Sequence, residues 1–374
     1  MKGGNDNAAT TDLAHRAGTE VCVSAQDMGG TAIPLAPAPD WIQQQAQVIT
    51  DPAELLALLG LSRAALPEAL QAAADFPLRV PRSYAARIRP GDPHDPLLRQ
   101  VLASGDELQE VPGYHADPLA EATHTPVPGI LHKYHGRVLL VVTGACAVHC
   151  RYCFRRHFPY QSHLPTAARL DEALAWLAAR QDIEEVILSG GDPLSLSDRR
   201  LGELIAQLAA IPHLRRLRIH SRLPVVIEGR ITDALVAMLD EQRWRATLVL
   251  HANHANELAP SLRGEMRQLK RAGVTVLNQA VLLRGVNDSL AAQEALNLAL
   301  FEHGVLPYYL HQLDRVAGAA HFAVPDEQAL ALHDALRSRL PGYLVPALVR
   351  ELPGDHSKTP VAAVAEADLQ ALPG

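Results

Sequence analysis

The sequence has no apolar run approaching the ~18 residues that would suggest a membrane span. Its first residues lack a charged stretch followed by an apolar one, which argues against a secretory leader. A basic excess is also missing. The chain has 34 Lys and Arg against 41 Asp and Glu, a net charge of −7, and so carries no electrostatic footprint for nucleic acid. A disulfide framework is missing too, because the 374 residues include only four cysteines. Three of those four crowd between positions 146 and 153. These shortages together lead to the expectation of a soluble cytoplasmic protein in a reducing compartment, with neither nucleic acid nor membrane as a partner. Apolar residues make up 48% of the chain, so a sizeable core is available.

The crowded cysteines are the most informative stretch. Residues 143–156 read Thr-Gly-Ala-Cys-Ala-Val-His-Cys-Arg-Tyr-Cys-Phe-Arg-Arg, which places Cys146, Cys150 and Cys153 in a C-x3-C-x2-C spacing. The apolar segment Val138 to Val142 just upstream reads as a buried strand. Soft thiolate ligands on a short loop select zinc, copper(I) or iron–sulfur clusters. A Cys3His zinc site completed by His149 or His157 is chemically sensible. A cubane cluster normally takes four cysteines, and three would leave one iron open to bind and activate a ligand. The loop by itself admits both.

Residues 1–38 are polar and then Ala/Pro-rich, and are expected to form a disordered extension in which Cys22 is a lone thiol. From Trp41 the pattern turns helical. Asp51-Pro52 is an N-cap and N1 pair ahead of Leu55, Leu56, Leu58 and Leu59. A second helix is expected over 64–75, and a third begins at Asp95-Pro96. These make a helical N-terminal region, 39–125, closing in the turn-rich 112–129, with no catalytic constellation of its own. Then short apolar strands, at 138–142, 184–189, 215–220, 246–251, 274–281 and 305–310, alternate with helical segments. The helices fall near 167–180, 198–210, 230–240, 260–272 and 288–303. One more near 325–338 leads to an extended segment at 344–350. Such alternation implies parallel strands with right-handed crossovers. Six units would make an open, partial barrel over 126–343, followed by a C-terminal segment, 344–374.

Chemistry in α/β barrels sits at the C-terminal ends of the strands, and every expected strand here ends in polar groups. The first runs into the cysteine loop, the second into Ser189-Gly190-Gly191-Asp192, and the third into His220, Ser221 and Arg222. The fourth ends in His251 and Asn253, the fifth carries Gln279, and the sixth runs into His311 and Asp314. The last extended segment ends at Glu351. Seven such ends favour a large polar ligand at one mouth. Arg155 lies two residues beyond Cys153, within about 8 Å of it by chain geometry, where a guanidinium could clamp a carboxylate. Taken alone, Lys358 would be an ordinary solvated lysine in a loop.

The cysteine spacing, with Tyr152 before the last cysteine, resembles the signature of the radical S-adenosylmethionine (SAM) enzymes. The Gly190-Gly191 turn resembles their motif that meets the methionine end of SAM. Over Trp41 to Pro360 the chain resembles the lysine 2,3-aminomutase family of that superfamily. The carrying phrases are Thr143 to Arg156, Leu188 to Leu194, Leu277 to Asp288, Pro307 to Asp314, Gly318 to Phe322, and the loop Leu352-Pro-Gly-Asp-His-Ser-Lys-Thr-Pro360. The resemblance implies an α/β fold, the partial (β/α)6 TIM-like barrel of the radical SAM type. To this it adds a helical N-terminal region and a C-terminal lysine loop for pyridoxal 5′-phosphate (PLP). By position, Cys146, Cys150 and Cys153 would ligate a [4Fe–4S] cluster, and Ser189, Gly190, Gly191, Asp192 and Ser221 would contact cofactor. Lys358 would carry PLP as a Schiff base, with Arg137, His251 and Gln279 near its phosphate or ring. Arg155 would hold the substrate α-carboxylate, and Asp314 and Glu351 its distal ammonium. Position 351 is aspartate in the catabolic members, so the extra methylene shifts that pocket.

Lysine's own chemistry agrees with this set, since its carboxylate, α-amine and distant ammonium match an arginine, an aldehyde-carrying lysine and a carboxylate pair. The expected activity converts L-lysine to β-lysine, in the R form, with an electron donor such as flavodoxin or ferredoxin. The closest resemblance within the family is to the branch that supplies β-lysine for modification of elongation factor P through a separate ligase. No cysteine follows Cys153, so the cysteine-bearing zinc region of the catabolic members is not expected. The alternatives are a stand-alone lysine mutase of catabolism or osmolyte synthesis, or a non-catalytic zinc or iron–sulfur protein.

Overall fold

Short apolar runs separated by helices and turns form one nine-stranded sheet in chain order. The computed structural model describes residues 40–62, 72–74, 76–163, 166–240 and 243–363. The expected N-terminal extension with Cys22 lies outside them, and of the helix expected at 64–75 only 72–74 are described, as helix. The strands are β1 (Ile130–Tyr134), β2 (Arg137–Thr143), β3 (Glu185–Gly190), β4 (Arg216–Ser221), β5 (Arg245–His251), β6 (Thr275–Val281), β7 (Leu306–His311), β8 (Ala347–Arg350) and β9 (Thr359–Pro360). From β2 to β8 every neighbouring pair is parallel. The antiparallel β1 and β9 finish the two edges. This is the partial, TIM-like barrel of α/β type, left open because the edge strands pair with β2 and β8 rather than with each other. β1 and β9 were not foreseen as strands.

Helices 167–179, 198–209, 233–240, 262–271, 290–302 and 326–339 fill the crossovers. Three of them start on a hydroxyl cap, with Thr166, Ser197 and Ser289 accepting from the amides of Arg169, Arg200 and Ala292. Such caps satisfy amides that the first helical turn leaves without partners. Two Asp-Pro pairs act as expected. Asp51 accepts from Ala53 N at 2.8 Å, and Asp95 from Leu97 N at 2.8 Å and Leu98 N at 3.2 Å. The Asp95 helix is only Pro96–Arg99, with Val101 and Leu102 buried just beyond it.

The alternation within strands sets the architecture. In β4 the even-spaced Leu217 and Ile219 are buried, whereas Arg218 and His220 stay partly open. The buried set packs under the helices, and the open set faces the barrel interior. Trp41, Ile49, Leu55 and Leu97 of the N-terminal segment join the same core as Leu188, Ile219 and Leu248 of the barrel. Among the described residues no helix is long and apolar enough to cross a membrane.

Candidate active site

The open face of the strands lines one cavity of about 500 Å³, and all fifteen site residues expected from the sequence border it. Its floor begins where β2 ends. Gly191 N–H donates to Thr143 O at 2.7 Å and Asp192 N–H to Ala145 O at 2.8 Å, so the end of β3 lies flat against the cysteine loop. A Cβ on Gly191 would fall 2.5 Å from Ala145 O, and one on Gly190, whose φ is +111°, 2.7 Å from Thr143 O. The close approach they permit here is to the cysteine loop itself.

Asp192 ties the strand ends together. Its carboxylate accepts from Ser221 Oγ at 2.7 Å and from the amides of Leu194, Arg222 and Leu223 at 3.0, 2.8 and 2.8 Å. Asn253, expected at the rim, is instead fully buried. Its Oδ1 accepts from Val281 N at 2.8 Å, and its Nδ2 donates to Gln100 Oε1 at 3.1 Å. It is a brace between loops rather than a ligand contact.

The three thiols face this cavity from one loop. Arg222 Nη1 donates to Cys150 Sγ at 2.7 Å while its Nη2 reaches Glu257 Oε2 at 2.9 Å and Gln100 Oε1 at 2.8 Å. Burial and the neighbouring Cys150 push the Cys153 thiol up to about 12. Burial, then Asp192 and the other two cysteines, raises Cys146. His149 and His157 do not border the cavity. His149 stacks on Phe76 and bonds Pro77 O at 2.8 Å, and His157 bonds Ala317 O at 3.2 Å. Among the described residues no three Cys, His, Asp or Glu side chains are already gathered about one metal position. The donor set is nevertheless three soft sulfurs without either adjacent imidazole. That fits a cluster keeping one iron open better than Cys3His zinc.

On the opposite wall, β8 and β9 form a hairpin whose last pair is Arg350–Thr359. The next residues outward, Glu351 and Lys358, therefore face each other, and Lys358 Nζ donates to Glu351 Oε2 at 2.6 Å. Glu351 Oε1 also accepts from Tyr134 Oη at 2.8 Å and Lys133 Nζ at 3.3 Å. Burial would raise the Glu351 carboxyl, but Lys358 and Lys133 more than offset it, and its pKa falls below the usual range. Asp314 behaves oppositely, pushed up to about 7 by burial and by the charge of Glu351. Lys133 and Tyr134 lie on the unforeseen β1. The signal available was the short run Ile130–Tyr134 just before the His135-Gly136 turn.

His251 is kept neutral, with its pKa lowered to about 3 by burial and then by Arg222. Its Nε2 lies 2.8 Å from Tyr152 Oη. In the sheet register His251 sits beside Gln279, and Arg137 lies 4.7 Å over the Tyr134 ring. Arg155 binds Glu121 through Nε at 2.9 Å and Nη2 at 2.6 Å, and Ser189 Oγ through Nη1 at 3.2 Å. Burial opposes its charge, but Glu121 more than compensates, so its pKa lies above the ordinary value. Glu121 comes from the segment read as turns without catalytic content.

Residues 140–246 match the model of the radical SAM superfamily. With three thiols on the loop after the first parallel strand of a partial barrel, this defines the class, radical SAM proteins, for which a [4Fe–4S] cluster and SAM are implied. The L-lysine 2,3-aminomutase of Escherichia coli (strain K12) is 52% identical over 323 residues, covering 86% of this chain and 94% of that one. That of Haemophilus influenzae is 46% identical, covering 86% and 95%, and that of Clostridium subterminale 38%, covering 86% and 77%. The chain belongs to the L-lysine 2,3-aminomutase family.

Proposed function

We propose that the protein converts L-lysine to β-lysine by moving the α-amino group to C3, using a [4Fe–4S] cluster, SAM and PLP. The observation that carries this reading is the charge pattern of a single cavity. An arginine borders one side, and the other has two carboxylates beside a lysine that can hold an aldehyde cofactor. Lysine presents the complementary carboxylate, α-amine and distal ammonium. When bound, the cluster and SAM supply a hydrogen-abstracting radical, and PLP supplies the carbonyl that carries the migrating amine.

Cys146, Cys150 and Cys153 would ligate the cluster, with the Arg222 guanidinium offsetting thiolate charge. Ser189, Gly190, Gly191, Asp192 and Ser221 would frame the SAM side. Lys358 would hold PLP, with Arg137, His251 and Gln279 around it. Arg155 would take the α-carboxylate. Glu351 is paired with Lys358. With that amine holding PLP, the Glu351 carboxylate would be free to meet the substrate's distal ammonium, together with Asp314. A glutamate-like substrate would instead place its distal carboxylate against two acids.

The finer reading is R-β-lysine destined for elongation factor P through a separate ligase, with flavodoxin or ferredoxin as reductant. It is supported by Glu351 in place of the catabolic aspartate. The test is an anaerobic incubation of reconstituted protein with PLP, SAM, dithionite and L-lysine, followed by chiral chromatography. R-β-lysine is expected. Cluster- and PLP-loaded protein that forms no β-lysine would overturn the substrate assignment, and the S product would return the chain to the catabolic branch.

A further inference from the structure

A guanidinium carries five N–H donors in a rigid fork. On Arg155, Glu121 takes the Nε donor and one Nη2 donor in a side-on, two-point contact. Ser189 Oγ takes one Nη1 donor. One donor remains on each Nη, and Glu121 leaves unengaged the Nη1–Nη2 end of the fork, the edge that meets a carboxylate with two parallel hydrogen bonds. The rings of Phe154 and Phe158, 4.9 and 5.7 Å from the guanidinium carbon, flank it further.

Glu121 is itself held firmly. Its N–H donates to Asp117 Oδ1 at 3.1 Å, and its carbonyl accepts from Thr125 Oγ1 at 3.0 Å. Ala120 just before it has φ +49°, the only non-glycine residue among those described with positive φ. An alanine held in the left-handed region signals that its surroundings fix the turn. Both side chains border the cavity.

We propose that Glu121 is a positioning residue that orients Arg155 side-on and so reserves the end of its fork for the α-carboxylate of the amino-acid substrate. This rests on the lysine mutase reading above. Because Glu121 already balances the arginine's charge, the carboxylate is selected by hydrogen-bond direction rather than by net attraction.

The test compares wild type, Glu121→Ala and Glu121→Gln, each loaded with cluster and PLP. L-lysine and L-lysine amide, which lacks the carboxylate, are both assayed, and L-lysine binding is measured by calorimetry. Glu121→Ala is expected to raise KM and Kd for lysine about tenfold or more, the scale of a lost charge-assisted contact. The amide should be far less affected, so discrimination between the two collapses. Glu121→Gln keeps an oxygen acceptor and should fall between. An unchanged lysine KM would overturn the proposal, as would a lower one, which would make Glu121 a competitor for Arg155. If Glu121→Ala fails to load its cofactors, Glu121→Gln carries the same comparison. Wild-type protein that forms no β-lysine would instead sink the reaction reading, and this inference with it.

Discussion

Lys358 Nζ lies 2.6 Å from Glu351 Oε2 because the two residues are the first beyond the Arg350–Thr359 pair of one hairpin. The lysine that would carry PLP is thus salt-bridged to a carboxylate that would bind substrate. In that reading, cofactor loading and substrate binding would be coupled through one ion pair. Removing the carboxylate should therefore separate the two.

Glu351→Gln keeps the size of the side chain and removes its charge. It should retain PLP, read by absorbance, and raise the lysine KM roughly tenfold or more, since one partner of a partly buried ion pair is lost. An unaltered KM would remove Glu351 from the ammonium site.

Burial and Glu351 raise the Asp314 carboxyl to about 7. The native state then holds a proton that the unfolded chain has released, so Asp314 lowers stability as pH rises from about 4 towards 7. The same ionisation creates the anion that an ammonium needs, so lysine affinity should strengthen as pH rises through 7. Asp314→Asn should flatten both slopes and weaken lysine binding about tenfold or more. KM and thermal unfolding on either side of pH 7 check this, and an identical affinity profile in the variant would sink it.

Gly191→Ala drives a Cβ to 2.5 Å from Ala145 O, a backbone atom that cannot swing aside. Overpacking of this kind costs about 1–3 kcal/mol, and the displaced segment is the cysteine loop. Iron content after reconstitution should fall together with the unfolding midpoint. Full iron loading in Gly191→Ala would show that the loop does not need this contact.

Glu107 is shared by Arg151 at 2.5 Å and Arg156 at 2.8 Å, with all three side chains at most 3% exposed. Breaking a buried pair from one side costs about 3–5 kcal/mol. Glu107→Gln should lower denaturant stability by that order, and a loss below about 1 kcal/mol would contradict it.

Strands β2 to β8 were legible because most are short apolar runs that end in a polar turn. The site was legible for the same reason: the polar residues cluster at strand ends. β1 was hidden by its half-polar sequence, Ile-Leu-His-Lys-Tyr, and is a strand because β2 offers it an edge. Lys133 and Tyr134 were missed with it. Glu121 left no local signal, because its meaning comes only from the fold bringing it to Arg155. Asp192 and Asn253 show the converse, polar residues at strand ends whose hydrogen bonds are spent on joining loops.

Among the described residues two lysines border the cavity, Lys133 and Lys358, and the account assigns PLP to the second. The most direct test is to reduce PLP-loaded protein with borohydride and map the modified peptide by mass spectrometry. The account predicts a pyridoxyl group on Lys358, and none in Lys358→Ala. A pyridoxyl group on Lys133, or unreduced PLP that washes away, would contradict it.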